Sequence, residues 1–131
     1  MKKHEYSCNS LVGQQKVGRK QTINLAYWCI IDKKTGSPSG SIIHEFLHAW
    51  GHFHEHTRHD RDNYVQVHKH RIKVDMHSNY KVQQRACLFA PYDGGSIMHY
   101  SSTANRDKKF PSGTPTMESL VFLATVCSER F

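Results

Sequence analysis

His44, Glu45, His48 and His54 are the residues of this chain best placed to do chemistry together, because they fall in one short run, HEFLHAWGHFHE, between His44 and Glu55. His44 and His48 stand four positions apart, so on a helix of about 3.6 residues per turn their imidazoles leave the same face and reach one metal ion. Glu45 beside them offers a carboxylate that takes a proton from water activated at such a metal without itself being a ligand. Gly51 follows three positions after His48, where a positive φ ends a helix and turns the chain back, and His54 then supplies a third nitrogen. Three neutral imidazoles leave a fourth tetrahedral position open, as a catalytic zinc requires and a structural one does not. The chemistry this spacing offers is metal-assisted hydrolysis.

With 11 histidines in the chain, accidental ligand spacing has to be weighed. HExxH alone is a weak signal, but the full HExxHxxGxxH arises by chance in roughly one chain in ten thousand of this composition. That rarity decides for one zinc ion per chain. His52, His56 and His59 flank the third ligand but miss the spacing that the glycine turn serves, and are expected to be solvated surface residues. Asp60, Arg61 and Asp62 are expected to form ion pairs, to orient the ligand imidazoles, or equally to stand solvated at the surface.

The element that must carry the first two ligands is a helix entered from a loop over residues 32–40, rich in Lys, Gly, Ser and Pro, with Ser39 or Ser41 as its cap. Ile43, Leu47 and Trp50 recur at i, i+4 and i+7, and Ile42, Phe46 and Ala49 add a second apolar stripe. The pattern predicts a buried helix whose one polar line, through His44 and His48, faces an internal cleft. Upstream, Ser10–Val12 and Gln21–Tyr27 read as strands of a hairpin punctuated by Gly13 and Gly18. Such a hairpin brings Cys8 beside Cys29, the preferred pair among cysteines 8, 29, 87 and 127, although sequence alone allows three pairings. Downstream, residues 64–84 read as irregular with a short helix, and Val65, Val67, Ile72, Val74 and Met76 as inward residues. Pro91-Tyr92-Asp93-Gly94-Gly95 is a turn signal before Ser96-Ile97-Met98-His99-Tyr100. Taken alone, Met98 reads as core and Tyr100 as a half-buried aromatic. Residues 108–116 are loop-like.

A length of 131 residues suits a single domain, 1–131, with one modest core. The 18 Lys and Arg residues give a formal charge of +7, but they are spread from Lys2 to Arg130 in twos and threes. The basic run or aromatic ladder of a nucleic-acid binder is missing, so the charge is read as serving solubility. Leu120–Val126, the longest apolar piece, falls far short of the roughly 20 residues of a membrane span. The opening Met1–Ser7 is basic without the apolar run of a complete signal peptide.

HEFLHAWGHFHEHTRHDRDNYV followed by YDGGSIMHY resembles the astacin family of zinc metalloendopeptidases, within the metzincins. The resemblance implies an α+β, zincin-like fold: a small residual β-sheet packed on a zinc-binding active-site helix, then an irregular C-terminal part with a methionine turn. It implies that His44, His48 and His54 bind one Zn2+, that Glu45 is general base and acid, and that Met98 forms the turn beneath the metal. Tyr100 is implied as a further ligand that leaves the metal to hydrogen-bond the oxyanion. Glu55 is linked in the family to the amino terminus of the activated chain, so here a water or an arginine such as Arg58 has to substitute. CNSLVG resembles the family's substrate-binding edge strand and QTINL its neighbour, with Cys8 and Cys29 at matching disulfide positions, and peptides would add to that edge as a further strand.

The resemblance covers Cys8 to Tyr100. The first strands and early helix of the family have no counterpart ahead of Cys8, and residues 101–131 diverge. Cys127 matches either the family's tail cysteine or a partner for Cys87. The function implied is an endopeptidase acting on proteins or peptides, with secretion implied by the disulfide. Two other classes stay open: a catalytically silent zinc-binding fragment serving as a peptide-binding or interaction module, and a basic module for acidic polysaccharide whose binding would survive zinc removal.

Overall fold

Ser39 sets the start of the longest helix, since its side-chain oxygen accepts the Ser41 N–H at 3.2 Å while its own backbone stays extended. This helix, α2, spans Gly40–Ala49. The computed structural model describes residues 7–32, 35–37 and 39–120, and it divides into two compact units, Met1–Phe53 and His54–Phe131.

In the first unit the expected hairpin is reduced to a single antiparallel bridge between Asn9 and Asn24. Its two backbone hydrogen bonds, 3.0 and 2.9 Å, are joined by one between the Asn24 and Asn9 side chains at 2.8 Å. Ser10–Val12 and Gln21–Tyr27 are therefore not strands. The intervening residues 14–20 are all exposed and carry no apolar face to bury, and a two-stranded ribbon without one does not hold a ladder. Tyr27 instead opens a single helical turn, α1, Tyr27–Ile30. The turn places Cys29, 1 % exposed, in a disulfide with Cys8 at a Cα separation of 6.3 Å, the pair expected.

Burial on α2 departs from the periodicity reading at three positions. Glu45 and His48 are its buried residues, whereas Ile43, Phe46 and Trp50 are 58, 57 and 82 % exposed. Ile42, Leu47 and Ala49 are half-buried, so the described residues cover only part of the apolar surface. A sequence pattern records that a face wants cover, and not which chain segment supplies it.

The second unit is organised by β1, Val65–Val67, and β2, Met117–Ser119, paired antiparallel in the register Val65↔Ser119, Gln66↔Glu118, Val67↔Met117. The small sheet thus forms downstream of the ligand helix from segments some fifty residues apart, not upstream as expected. Its core is Ile72, Tyr80 and Met117, with Val67, Met76 and Tyr100 packed against it. Full burial of a side chain such as Ile72 or Met117 contributes about 1.5–3 kcal/mol. Val74 is 78 % exposed, against expectation. Ile72 is still extended and bridges to Arg106, whereas Val74 begins a 3-10 helix, Val74–Tyr80, so the alternation of an extended segment that would turn both inward ends before Val74.

Buried polar groups fasten the loops over this core. Thr116, fully buried, donates its hydroxyl to the carbonyls of Ser102 and Ala104 at 3.0 and 2.8 Å. The Tyr80 hydroxyl also donates to the Ala104 carbonyl at 2.8 Å, and Arg106 donates to the Phe110 carbonyl. Cys87 is exposed; Cys127, with most of the Leu120–Val126 run, lies outside the described residues.

Candidate metal centre

Helix α2 stops where the ligands require it to stop. The His52 N–H donates to the Leu47 carbonyl at 3.0 Å and the Gly51 N–H to the His48 carbonyl at 2.9 Å, the paired bonds of a Schellman ending. Gly51 has φ +108°, which a side chain rarely adopts. A Cβ there would stand 3.9 Å from the Gly13 Cα, an ordinary contact, so the backbone angle rather than crowding demands glycine. Gly13 in turn donates its N–H to the same His48 carbonyl at 2.8 Å, tying the upstream segment to the end of the helix.

His44 and His48 leave α2 with their rings edge to face, centroids 4.6 Å apart. The Nδ1–H of His48 donates to the His52 carbonyl at 2.8 Å, which makes Nε2 the nitrogen that carries the ligating lone pair. Burial lowers the His48 pKa and the His44 ring adds to the effect, while the His52 carbonyl and Glu45 act the other way, so the net result favours the neutral, ligating form. Across the short stretch from His44 to His54, one ring nitrogen from each of His44, His48 and His54 lies within 4.8 Å of the others. Among the described residues this is the group of His, Cys, Asp and Glu side chains so arranged. Three neutral nitrogens without a thiolate are the donor set of a hydrolytic zinc with an open position. Glu45 supplies a second sign. It is 6 % exposed and its Oε2 is buried with no hydrogen-bond partner among the described residues. The residues fit a zinc ion.

His54 precedes a 3-10 turn, Glu55–Thr57, and its carbonyl accepts both the Thr57 N–H at 2.9 Å and the Thr57 hydroxyl at 2.7 Å. Met98, 4 % exposed, accepts the Glu55 N–H on its carbonyl at 3.0 Å, so the SIMHY turn is bonded directly to the residue after the third histidine. The Tyr100 ring lies beside His54, centroids 4.6 Å apart. Glu55 is bonded by Arg58 at 2.8 Å and by the Asp93 N–H at 3.0 Å.

The model of the peptidase family described as Astacin matches residues 1–125. The chain belongs to the astacin family. Among astacin relatives, it is 38 % identical over 116 residues to zinc metalloproteinase nas-13 of Caenorhabditis elegans, covering 86 % of this chain and 23 % of that protein. It is 41 % identical over 106 residues to low choriolytic enzyme of Oryzias latipes, covering 79 % of this chain and 36 % of that one. A solved structure, high choriolytic enzyme 1, a hatching enzyme zinc-protease from the same fish, superposes with a TM-score of 0.71 at 30 % identity. That superposition covers 88 % of this chain and 52 % of the other, and it shows the metzincin fold. The chain spans about a quarter to a third of these curated astacin relatives and about half of the solved one.

Within this astacin site, sequence reasoning missed His56. His52 and His59 are exposed as expected, but His56 is fully buried. Burial first, then the neighbouring His54, His99 and Arg61, push its pKa down to about 3 against the pull of the Asn79 carbonyl, so the ring is neutral. His99 and Tyr92 were missed too: the Tyr92 hydroxyl and His99 Nε2 lie 2.6 Å apart. The one signal available was position, since His56 falls two residues from a ligand. Asp60 and Asp62 pair with Arg58 and Arg61 at 2.9 and 3.0 Å, the ion-pair alternative.

Proposed function

We propose that this chain carries the metal-bearing part of a zinc endopeptidase that cuts peptide bonds in proteins, with one Zn2+ on His44, His48 and His54. Glu45 is the observation that supports this best. A buried carboxylate oxygen left without a partner costs at least about 1–3 kcal/mol, a cost that a waiting proton-transfer role explains. Zinc, when bound, supplies a Lewis acid for the scissile carbonyl and lowers the pKa of the attacking water. Glu45 takes a proton from that water as its oxygen adds to the carbonyl carbon, then delivers the proton to the amine nitrogen as the C–N bond breaks. The Tyr100 phenol donates a hydrogen bond to the oxyanion. Met98, through its carbonyl on the Glu55 N–H, holds the turn that carries Tyr100 next to the third ligand. The Cys8–Cys29 disulfide supports a secreted protein, since such a bridge persists in an oxidising compartment.

The decisive experiment is hydrolysis of an unfolded generic protein by the oxidised chain, with and without a zinc chelator, beside Glu45→Gln. Cleavage that needs both zinc and Glu45 is expected. An active Glu45→Gln protein sinks the mechanism.

The exposed side chains of Ile43, Phe46 and Trp50 favour a second reading, because they leave one side of the ligand helix exposed among the described residues. In that reading the chain binds zinc but is catalytically silent and serves as a peptide-binding or interaction module. One zinc per chain with no hydrolysis decides for it.

A further inference from the structure

Tyr100 is held at both of its backbone polar groups by imidazole side chains that are not in the ligand set. Its N–H donates to His56 Nδ1 at 3.3 Å. Its carbonyl lies 2.6 Å from His99 Nδ1, which must therefore be the protonated nitrogen and the donor. Each imidazole has its tautomer fixed by a partner on the far side. His56 Nε2 lies 3.2 Å from the Asn79 carbonyl, so Nε2 carries the proton and Nδ1 is left to accept. His99 Nε2 accepts from the Tyr92 hydroxyl at 2.6 Å, so Nδ1 is left to donate. The four assignments agree with one another and need no charge on either ring.

The His56 ring also packs against Tyr100, centroids 4.3 Å apart and 31° between planes, and stacks on His54 at 5.2 Å and 24°. One fully buried side chain thus touches both the third metal-ligand candidate and the phenol ring, which also touch each other. A backbone held at one end would let the residue pivot, whereas two oppositely directed bonds fix the peptide planes on both sides of the Cα.

We propose that His56 and His99 form a clamp on the backbone of Tyr100, as positioning residues that keep its phenol beside His54. The inference rests on the zinc endopeptidase reading. His56 acts through Tyr100 and touches no reacting atom.

The test uses three variants of the full chain. His56→Phe keeps the buried ring and its stacking but removes both hydrogen bonds. His56→Gln restores them, since an amide oxygen accepts from the Tyr100 N–H while the amide nitrogen donates to the Asn79 carbonyl. Tyr100→Phe removes the phenol and gives the baseline. Each is loaded with zinc for kinetics and with copper(II) for absorbance, where a coordinated phenolate gives a charge-transfer band, and metal content per chain confirms folding.

His56→Phe is expected to lose most of the band and to lower kcat about 10–100-fold with KM unchanged, the usual scale for a group supporting a metal site from outside. His56→Gln is expected to recover both. A His56→Phe protein with wild-type band and kcat overturns the clamp, and so does an equal loss in His56→Phe and His56→Gln, which would trace the effect to ring packing. In both cases a cleaving wild type leaves the endopeptidase reading standing. A wild type that binds metal yet shows neither band nor hydrolysis overturns that reading and the clamp with it.

Discussion

The Arg58 guanidinium lies 2.8 Å from the Glu55 carboxylate and 2.9 Å from that of Asp60, with its side chain only 11 % exposed. The same group donates to the carbonyls of Ala90 and Pro91 at 3.0 and 3.1 Å and lies 5.4 Å from the centre of the Tyr92 ring. One arginine therefore joins the segment after the third histidine to the segment before the SIMHY turn. Asp60 answers with a pKa lowered chiefly by its hydrogen bond to Arg58.

Removing that arginine leaves two shielded carboxylates and two carbonyls without their donor. Arg58→Ala is expected to destabilise the chain by about 3 kcal/mol, since breaking one side of a poorly exposed pair costs more than the pair contributes. Urea unfolding followed by far-UV circular dichroism measures it. Arg58→Lys should recover only part of the loss, because an ammonium cannot reproduce the two-pronged contact to Asp60. A midpoint unchanged in Arg58→Ala would show that the hub is ornamental.

Glu45→Gln keeps the size of the side chain and removes its basicity. Hydrolysis is expected to fall about 10²–10⁴-fold, the range of general acid–base contributions, while zinc stoichiometry stays at one per chain. Turnover numbers beside atomic-absorption zinc counts check both halves. A parallel loss of zinc would move Glu45 from proton transfer to holding the metal site together.

His56 gives the metal-free chain a pH signature of known sign. Its folded pKa is about 3 and its ordinary value 6.5, so between these the unfolded chain binds the extra proton. The stability this neutral ring contributes is complete above about pH 6.5 and is lost as pH falls towards 3, with a slope of at most about 1.4 kcal/mol per pH unit. Urea midpoints in chelator across that window should fall more steeply for wild type than for His56→Gln. Parallel curves would mean that His56 is not held neutral.

The disulfide from Cys8 to Cys29 links residues 21 apart in sequence, a loop for which chain-entropy arguments give about 3 kcal/mol. A Cys8→Ala, Cys29→Ala double variant should lose that order of stability in the first unit. Differential scanning of the oxidised chain and the double variant compares them, and equal melting curves would contradict it.

What the sequence made legible was local. The three histidines, Glu45, the Gly51 turn and the Ser39 cap all lie within sixteen residues, and each follows from helix geometry that neighbours in sequence impose on one another. His56 was illegible because what buries and bonds it comes from Asn79 and Tyr100, dozens of residues away. The β1–β2 pair was hidden for the same reason, as Met117–Ser119 is too short to announce itself without Val65–Val67 beside it. The stripe on α2 is a different case, since an amphipathic pattern states that a face wants cover while Ile43, Phe46 and Trp50 stay exposed.

Trp28 and Trp50, the two tryptophans of the chain, both belong to the unit Met1–Phe53 and are 44 and 82 % exposed. Indole emission will accordingly be red-shifted and open to aqueous quenchers even in the native state. Neither indole belongs to the unit that holds the Ile72, Tyr80 and Met117 core, whose melting registers in the circular dichroism. The molecule thus carries a spectroscopic division of labour, and a fluorescence transition that leads or lags the dichroic one would separate the unfolding of the disulfide-bearing unit from that of the core-bearing unit.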